Sequence, residues 1–98
     1  MTRDGVHRIG SQVERVLAGL GLLETFNGWK VCQLWPEFVG EPIASHATAT
    51  RYEQHTLYVR VTDSVWRHNL SLERENILRK IHSLPYGASV RTIEFVSR

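Results

Sequence analysis

The feature that most constrains the fold is a change in hydrophobic spacing near residue 48. Before this point, apolar residues recur at the spacing of one helix face, as in Ile9, Val13, Val16, Leu17 and Leu20. After it, alternate residues are apolar, so that Leu57, Val59 and Val61 would share one face of a strand. A chain that contains both spacings is predicted to combine helices with a small sheet.

The helical part before residue 48 is predicted to contain two helices and a turn. The first begins near Ile9 and ends at Gly21, because glycine favours helix termination. The second runs from Leu22 or Leu23 to Trp35, and Pro36 either ends it or opens a new turn. Residues 42–47 are expected to form one more short turn.

The second half is predicted to form a hairpin, two helices and a last strand. Strands over 48–52 and 56–62 are joined by a polar connection at 53–55. Helices are expected over 64–70 and 72–83, with Ser71 as the N-cap of the second, and a strand over 89–96. The predicted order is α-α-β-β-α-α-β, an α+β domain whose three-stranded sheet is covered by helices on one face.

Length and composition point to one folded domain over residues 1–98. The chain is 42% hydrophobic and 22% charged, which is ordinary for a globular protein. Its 98 residues are too few to build a second hydrophobic core. One cysteine cannot form an internal disulfide or a cysteine-based zinc ribbon. Because we find neither a membrane-spanning apolar run nor a signal peptide, we expect a cytoplasmic protein.

The residues that commonly carry catalysis do not form a recognisable set. The serines lack the glycines of a nucleophile elbow, and Cys32 lies in a helix where it is expected to act as a small hydrophobe. The histidines are scattered over several elements, with no i, i+4 pair on one helix that could support a compact metal site. We therefore predict a protein that is not an enzyme and needs no metal or cofactor.

Arginine supplies most of the positive charge, and the role of these arginines has two interpretations. The net charge is +2, with ten arginines and two lysines among the cationic residues. Tyr58 and Arg60, with Tyr52 as a third candidate, would interleave aromatic and basic groups on an open sheet face, and single-stranded nucleic acid is held by such stacking and phosphate neutralisation. The candidate nucleic-acid-binding residues are Arg51, Arg60, Arg67, Arg79 and Lys80. The alternative is an ordinary solvated, salt-bridged surface.

Three tryptophans are many for 98 residues, and their roles also stay open. Trp35 and Trp66 are expected in the core, with a role as interface anchors as the alternative. Trp29 lies next to Lys30 and is expected to be partly exposed.

Three stretches of the chain together resemble the DciA family of bacterial replicative-helicase loaders. They are the N-terminal amphipathic helix, the segment Leu34–Ala47 with its Trp-x-x-x-Val-Gly-x-x-hydrophobic-Ala-x-His pattern, and the segment Leu57–Leu70 followed by Asn76-Ile77-Leu78 and the last strand. The positions most tied to this resemblance, or to partner binding, are Trp35, Gly40, His46, Trp66, Arg67 and Leu70.

The resemblance implies a KH-like domain that binds a DnaB-like replicative helicase and assists its loading on single-stranded DNA, without enzymatic activity of its own. The chain resembles a short form of the family, without the basic C-terminal tail or the zinc ribbon that some relatives carry. The Gly-x-x-Gly loop of RNA-binding KH domains is replaced by His68-Asn69-Leu70-Ser71, so KH-type RNA recognition is not implied. A general single-stranded nucleic-acid-binding module with no dedicated helicase partner is the alternative function.

Overall fold

The computed structural model describes residues 12–97. The predicted helix start at Ile9 and the terminal Arg98 lie outside this part of the chain. The elements in order are α1 (12–19), α2 (Leu23–Val39), α3 (Ile43–His46), β1 (Thr48–Glu53), β2 (Thr56–Arg60), α4 (Ser64–Leu72), α5 (Arg74–His82) and β3 (Thr92–Val96). No helix among these residues is both long and apolar enough to cross a membrane.

The three strands form one mixed sheet in the order β1-β2-β3. β1 and β2 are antiparallel, and their connection places Gln54 (φ 47°) and His55 (φ 65°) in the left-handed region, as tight hairpin turns require. β2 and β3 are parallel, which requires a crossover connection, here made by α4 and α5. The predicted α+β class is thereby confirmed. The KH-like assignment stays a prediction.

The two faces of the sheet differ in what covers them. On the covered face, Leu57, Val59 and Ile93 are fully buried beneath the helices. On the open face, Tyr58 is half-buried and Arg60 and Glu94 are exposed. The alternation of buried and exposed residues predicted for β2 is therefore correct. α5 adds an apolar stripe to the same core, since Ile77, Leu78 and Ile81 are buried.

The close approach of α2 to β1 depends on one glycine. Gly28 is buried, and a Cβ atom at this position would overlap the ring of Tyr52. The Tyr52 hydroxyl then donates to the carbonyl of Ser89 at 3.2 Å, and His55 Nδ1 lies 3.0 Å from the same oxygen. The hairpin is thus tied both to α2 and to the segment that leads into β3.

The predicted end of the second helix at Pro36 is wrong. α2 continues to Val39 with Pro36 inside it, and the N–H of Gly40 donates to the carbonyl of Pro36 at 3.1 Å. Proline loses one helical hydrogen bond, but Val31, Trp35 and Val39 lie at i, i+4, i+8 and are all buried. Burial of this continuous stripe offsets the lost bond and keeps the chain helical.

The predicted break between the last two helices is displaced by two residues. α4 continues through Ser71 to Leu72, and Glu73 forms the junction with α5. The Ser71 hydroxyl donates to the carbonyl of His68 at 2.7 Å instead of capping α5. A serine can bond back to its own helix as readily as it caps the next one, so its presence alone did not locate the junction.

Candidate functional site

The six residues that carry the family pattern lie on α2, at its C-terminal end, on α3 and on α4. Trp35 is buried, and its Nε1 donates to the carbonyl of Ala47 at 2.9 Å, so α2 is joined to the segment before β1. Gly40 ends α2 with a φ of 68°, a conformation that glycine adopts without strain. Leu70 on α4 is also buried in the core. These three residues hold the fold together.

The other three members of the pattern lie at the surface. The rings of His46 and Trp66 stack with centroids 4.2 Å apart and planes 13° from parallel. His46 is exposed, whereas Trp66 and Arg67 are half-buried. Arg67 donates through Nη1 to the carbonyl of Val61 at 3.4 Å, a long bond. We call His46, Trp66 and Arg67 the α3–α4 corner.

Local capping positions Trp66 and Arg67 on α4. Asp63 is the N-cap of this helix, and its Oδ1 accepts hydrogen bonds from the N–H groups of Val65 at 2.8 Å and Trp66 at 3.1 Å. The side chain of Asp63 thus fixes where α4 begins. The stack across the corner joins positions 46 and 66, and no single-sequence pattern indicates such a contact.

The five candidate nucleic-acid-binding residues do not form one patch. Arg51 and Arg60 are exposed on the open sheet face. Arg79 and Lys80 lie on α5, which packs on the opposite side of the sheet, and Arg79 donates to Asn76 Oδ1 at 3.0 Å. Arg67 lies on α4 and is half-buried. The structure brings Arg51 and Arg60 onto one surface, and it places Arg79 and Lys80, which are consecutive on α5, on another.

The open face holds an arginine–tyrosine stack but carries no excess charge. The guanidinium of Arg51 lies 4.0 Å from the centre of the Tyr58 ring, and its Nε forms an ion pair with Glu53 at 2.8 Å. By strand register, Arg51 and Arg60 share this face with Glu53 and Glu94. Among residues 12–97, its two positive charges are thus matched by two negative ones.

Tyr52, the third residue considered for this face, points the other way. A β-bulge between Ala49 and Arg51 shifts the register, so that Tyr52 pairs with Leu57 and Arg51 pairs with Tyr58. Tyr52 therefore packs against the core beside Gly28. The expected placement of Tyr52 is wrong because a bulge reverses the alternation that simple period-two counting assumes.

Among residues 12–97, both α1 and α2 expose apolar side chains. Val13 and Val16 of α1 are 45% and 62% exposed, and Leu20, just after this helix, is 66% exposed. Trp29 on α2 is 54% exposed, as predicted, and its ring stacks on Phe26 at 5.9 Å.

Catalytic and metal-binding chemistry find little support in the described part of the chain. Cys32 is half-buried, and burial raises the pKa of its thiol, which disfavours the reactive thiolate. Within residues 12–97, no three histidine, cysteine, aspartate or glutamate side chains are grouped so that they could hold a metal ion.

Comparison with known proteins places the chain in a family. The family model described as "Dna[CI] antecedent, DciA" matches residues 8–95, so the chain belongs to the DciA family. It is similar to the UPF0232 protein SCO3875 of Streptomyces coelicolor, with 28% identity over 101 residues. That alignment covers 94% of this chain and 53% of the relative, so the chain spans about half the relative's length. Family membership supports a helicase-loader-related role in general terms.

Proposed function

We propose that this chain is a non-enzymatic adaptor that binds a DnaB-like replicative helicase and assists its loading on single-stranded DNA. The observation that carries the proposal is the DciA family match over residues 8–95. We assign the helicase contact to the α3–α4 corner, because its three residues belong to the family pattern and are accessible.

The corner has the composition of a binding hot spot. Tryptophan and arginine are the residue types most enriched at such positions, and here they are consecutive on α4. The stacked His46 holds the Trp66 ring in a fixed orientation, which lowers the entropy cost of ordering it in a complex. A planar guanidinium next to an aromatic ring suits a partner surface that presents a carboxylate.

The test is a pulldown of purified replicative helicase from the same organism at near-native concentrations. We expect Arg67→Ala to weaken capture at least about tenfold, since losing a central contact costs upwards of about 1.4 kcal/mol. Arg79→Ala is the matched control, because it removes the same residue type from the exposed side of α5 and should change nothing. Thermal unfolding monitored by circular dichroism verifies that each variant is folded.

Two outcomes would contradict the proposal in different ways. Absence of helicase from the wild-type pulldown would remove the adaptor function itself. Normal capture by Arg67→Ala with loss of capture by Trp29→Ala would keep the adaptor function and move the contact from the α3–α4 corner to the exposed face of α2.

We propose as a second candidate that the open sheet face binds single-stranded nucleic acid. It is supported by the stack of Arg51 on Tyr58, since a guanidinium plane can itself stack on a base, and by Arg60 on the same face. With one or two phosphates neutralised, the slope of log K against log salt should be about −0.7 to −1.4.

Fluorescence anisotropy of a labelled dT oligonucleotide at several salt concentrations tests this candidate. Arg51→Gln should weaken binding and reduce the magnitude of the slope, whereas Arg79→Gln on the opposite side should do neither. Equal losses in both variants would show diffuse electrostatic attraction and would contradict a site on the open face.

A further inference from the structure

A polar cavity lies where β1 begins and β2 ends, next to the α3–α4 corner. It has a volume of about 440 Å³ and is lined by Ser45, His46, Thr48, Arg60, Thr62 and Ser97. This volume is within the range of about 300–1,000 Å³ that small-molecule sites occupy. Four of the six lining residues carry hydroxyl groups, one is a histidine and one is an arginine.

The permanent charge among the lining residues is positive, which favours an anion. Arg60 is the lining residue with a permanent charge, and none of the six is a carboxylate. Within residues 12–97, Arg60 makes no salt bridge, in contrast with Arg51, which pairs with Glu53. The nearby carboxylate of Glu41 accepts a hydrogen bond from the Ser45 hydroxyl, so that hydroxyl is already engaged.

The donors are held by rigid parts of the fold. Thr48 lies directly across from Arg60 in the β1–β2 ladder, so their side chains project side by side on the open face. The His46 ring is fixed by its stack on Trp66. Guanidinium, imidazole and hydroxyl groups converging from three elements give the several hydrogen-bond donors that a tetrahedral oxyanion requires.

We propose that this cavity is a binding site for a phosphate group, with Arg60 as its charged anchor and Thr48, Thr62 and His46 as the surrounding donors. The phosphate can be free or part of a nucleic-acid strand. The Arg51–Tyr58 stack lies on the same sheet face and would be accessible to an adjoining base. The site does not depend on a helicase partner, so its absence would leave the adaptor function intact.

Backbone amide NMR of the whole chain, titrated with inorganic phosphate at constant ionic strength, tests the site. We expect saturable shift changes confined to residues 45–48 and 60–62. Arg60→Gln should weaken the apparent affinity at least about tenfold, as expected for loss of a charge-assisted hydrogen bond. Arg79→Gln, which removes an equal charge from α5, should bind as the unmodified chain does.

A second titration identifies the source of the phosphate group. A dT tetramer with a 5′-phosphate and the same tetramer without it are compared with inorganic phosphate. If the phosphorylated tetramer binds more tightly than the unphosphorylated one, the site recognises a terminal phosphate. If the two tetramers bind equally, and both more tightly than inorganic phosphate, the site recognises the strand backbone. If neither tetramer binds more tightly than inorganic phosphate, the site recognises free phosphate. Changes that do not saturate, or that persist unaltered in Arg60→Gln, would overturn the proposal.

Discussion

The two faces of the three-stranded sheet differ in how far their side chains are exposed to solvent. On the covered face, Leu57, Val59 and Ile93 are fully excluded from solvent. On the open face, the intervening residues include Tyr58 and Arg60, which are accessible and polar. We infer that substitutions on the covered face change stability, whereas substitutions on the open face change binding.

The largest expected effect is on the covered face. Leu57→Ala should lower the free energy of unfolding by about 2–5 kcal/mol, since it removes buried apolar surface and leaves a cavity in the core beneath β2. Urea unfolding measures the loss. Leu72→Ala is the matched control, because Leu72 is 72% exposed and the same truncation there should cost little. Similar losses at both positions would contradict the contrast between buried and exposed sites.

Gly28→Ala tests the contact between α2 and β1. The added methyl group would overlap the Tyr52 ring, and we expect a loss of about 1–3 kcal/mol, although alanine is the better helix former. In a Tyr52→Ala background the overlap is relieved, so the same substitution should become nearly neutral or stabilising. An additive double-mutant cycle would show that Gly28 does not act through Tyr52.

The cap of α4 should contribute less. Asp63→Ala removes the acceptor of two backbone hydrogen bonds and is expected to cost about 1 kcal/mol, measured by thermal unfolding. Asp63→Ser keeps an acceptor oxygen and should retain most of the stability. If the alanine and serine variants were equally destabilised, the side chain of Asp63 would not be acting as a cap.

The smallest effect on stability is expected on the open face. Arg60→Gln should change the free energy of unfolding by no more than about 0.5 kcal/mol, because it touches no buried contact. The same variant is expected to lose phosphate affinity. A large destabilisation, with phosphate binding unchanged, would reverse the roles assigned to the two faces.

Hydrophobic spacing predicted the helices and their apolar faces better than it predicted which of these faces are buried. α5 and the helical residues of α1 both carry an apolar stripe, but Ile77 and Ile81 are buried whereas Val13 and Val16 are exposed. A stripe shows that a helix has an apolar face, but only the tertiary arrangement decides whether another element covers it. For this reason the spacing indicated a helix over the described residues of α1 without revealing that its apolar face is exposed.

The site was predictable in its residue types but not in its geometry. The family pattern identified His46, Trp66 and Arg67, and strand alternation placed Arg60 on the open face. The contact between the His46 and Trp66 rings joins residues distant in sequence, and the register shift at Thr50 depends on the pairing of two strands. Both arise from tertiary pairing, which local patterns do not encode.

The most direct test of the adaptor function is the fluorescence anisotropy of labelled single-stranded DNA with the replicative helicase, measured with and without this protein at two salt concentrations. We predict that the protein raises the helicase–DNA signal above the sum of the separate signals, and that Arg67→Ala removes this gain. If the protein alone bound DNA with a steep salt dependence and left the helicase unaffected, the result would contradict the adaptor function and favour a general nucleic-acid-binding module.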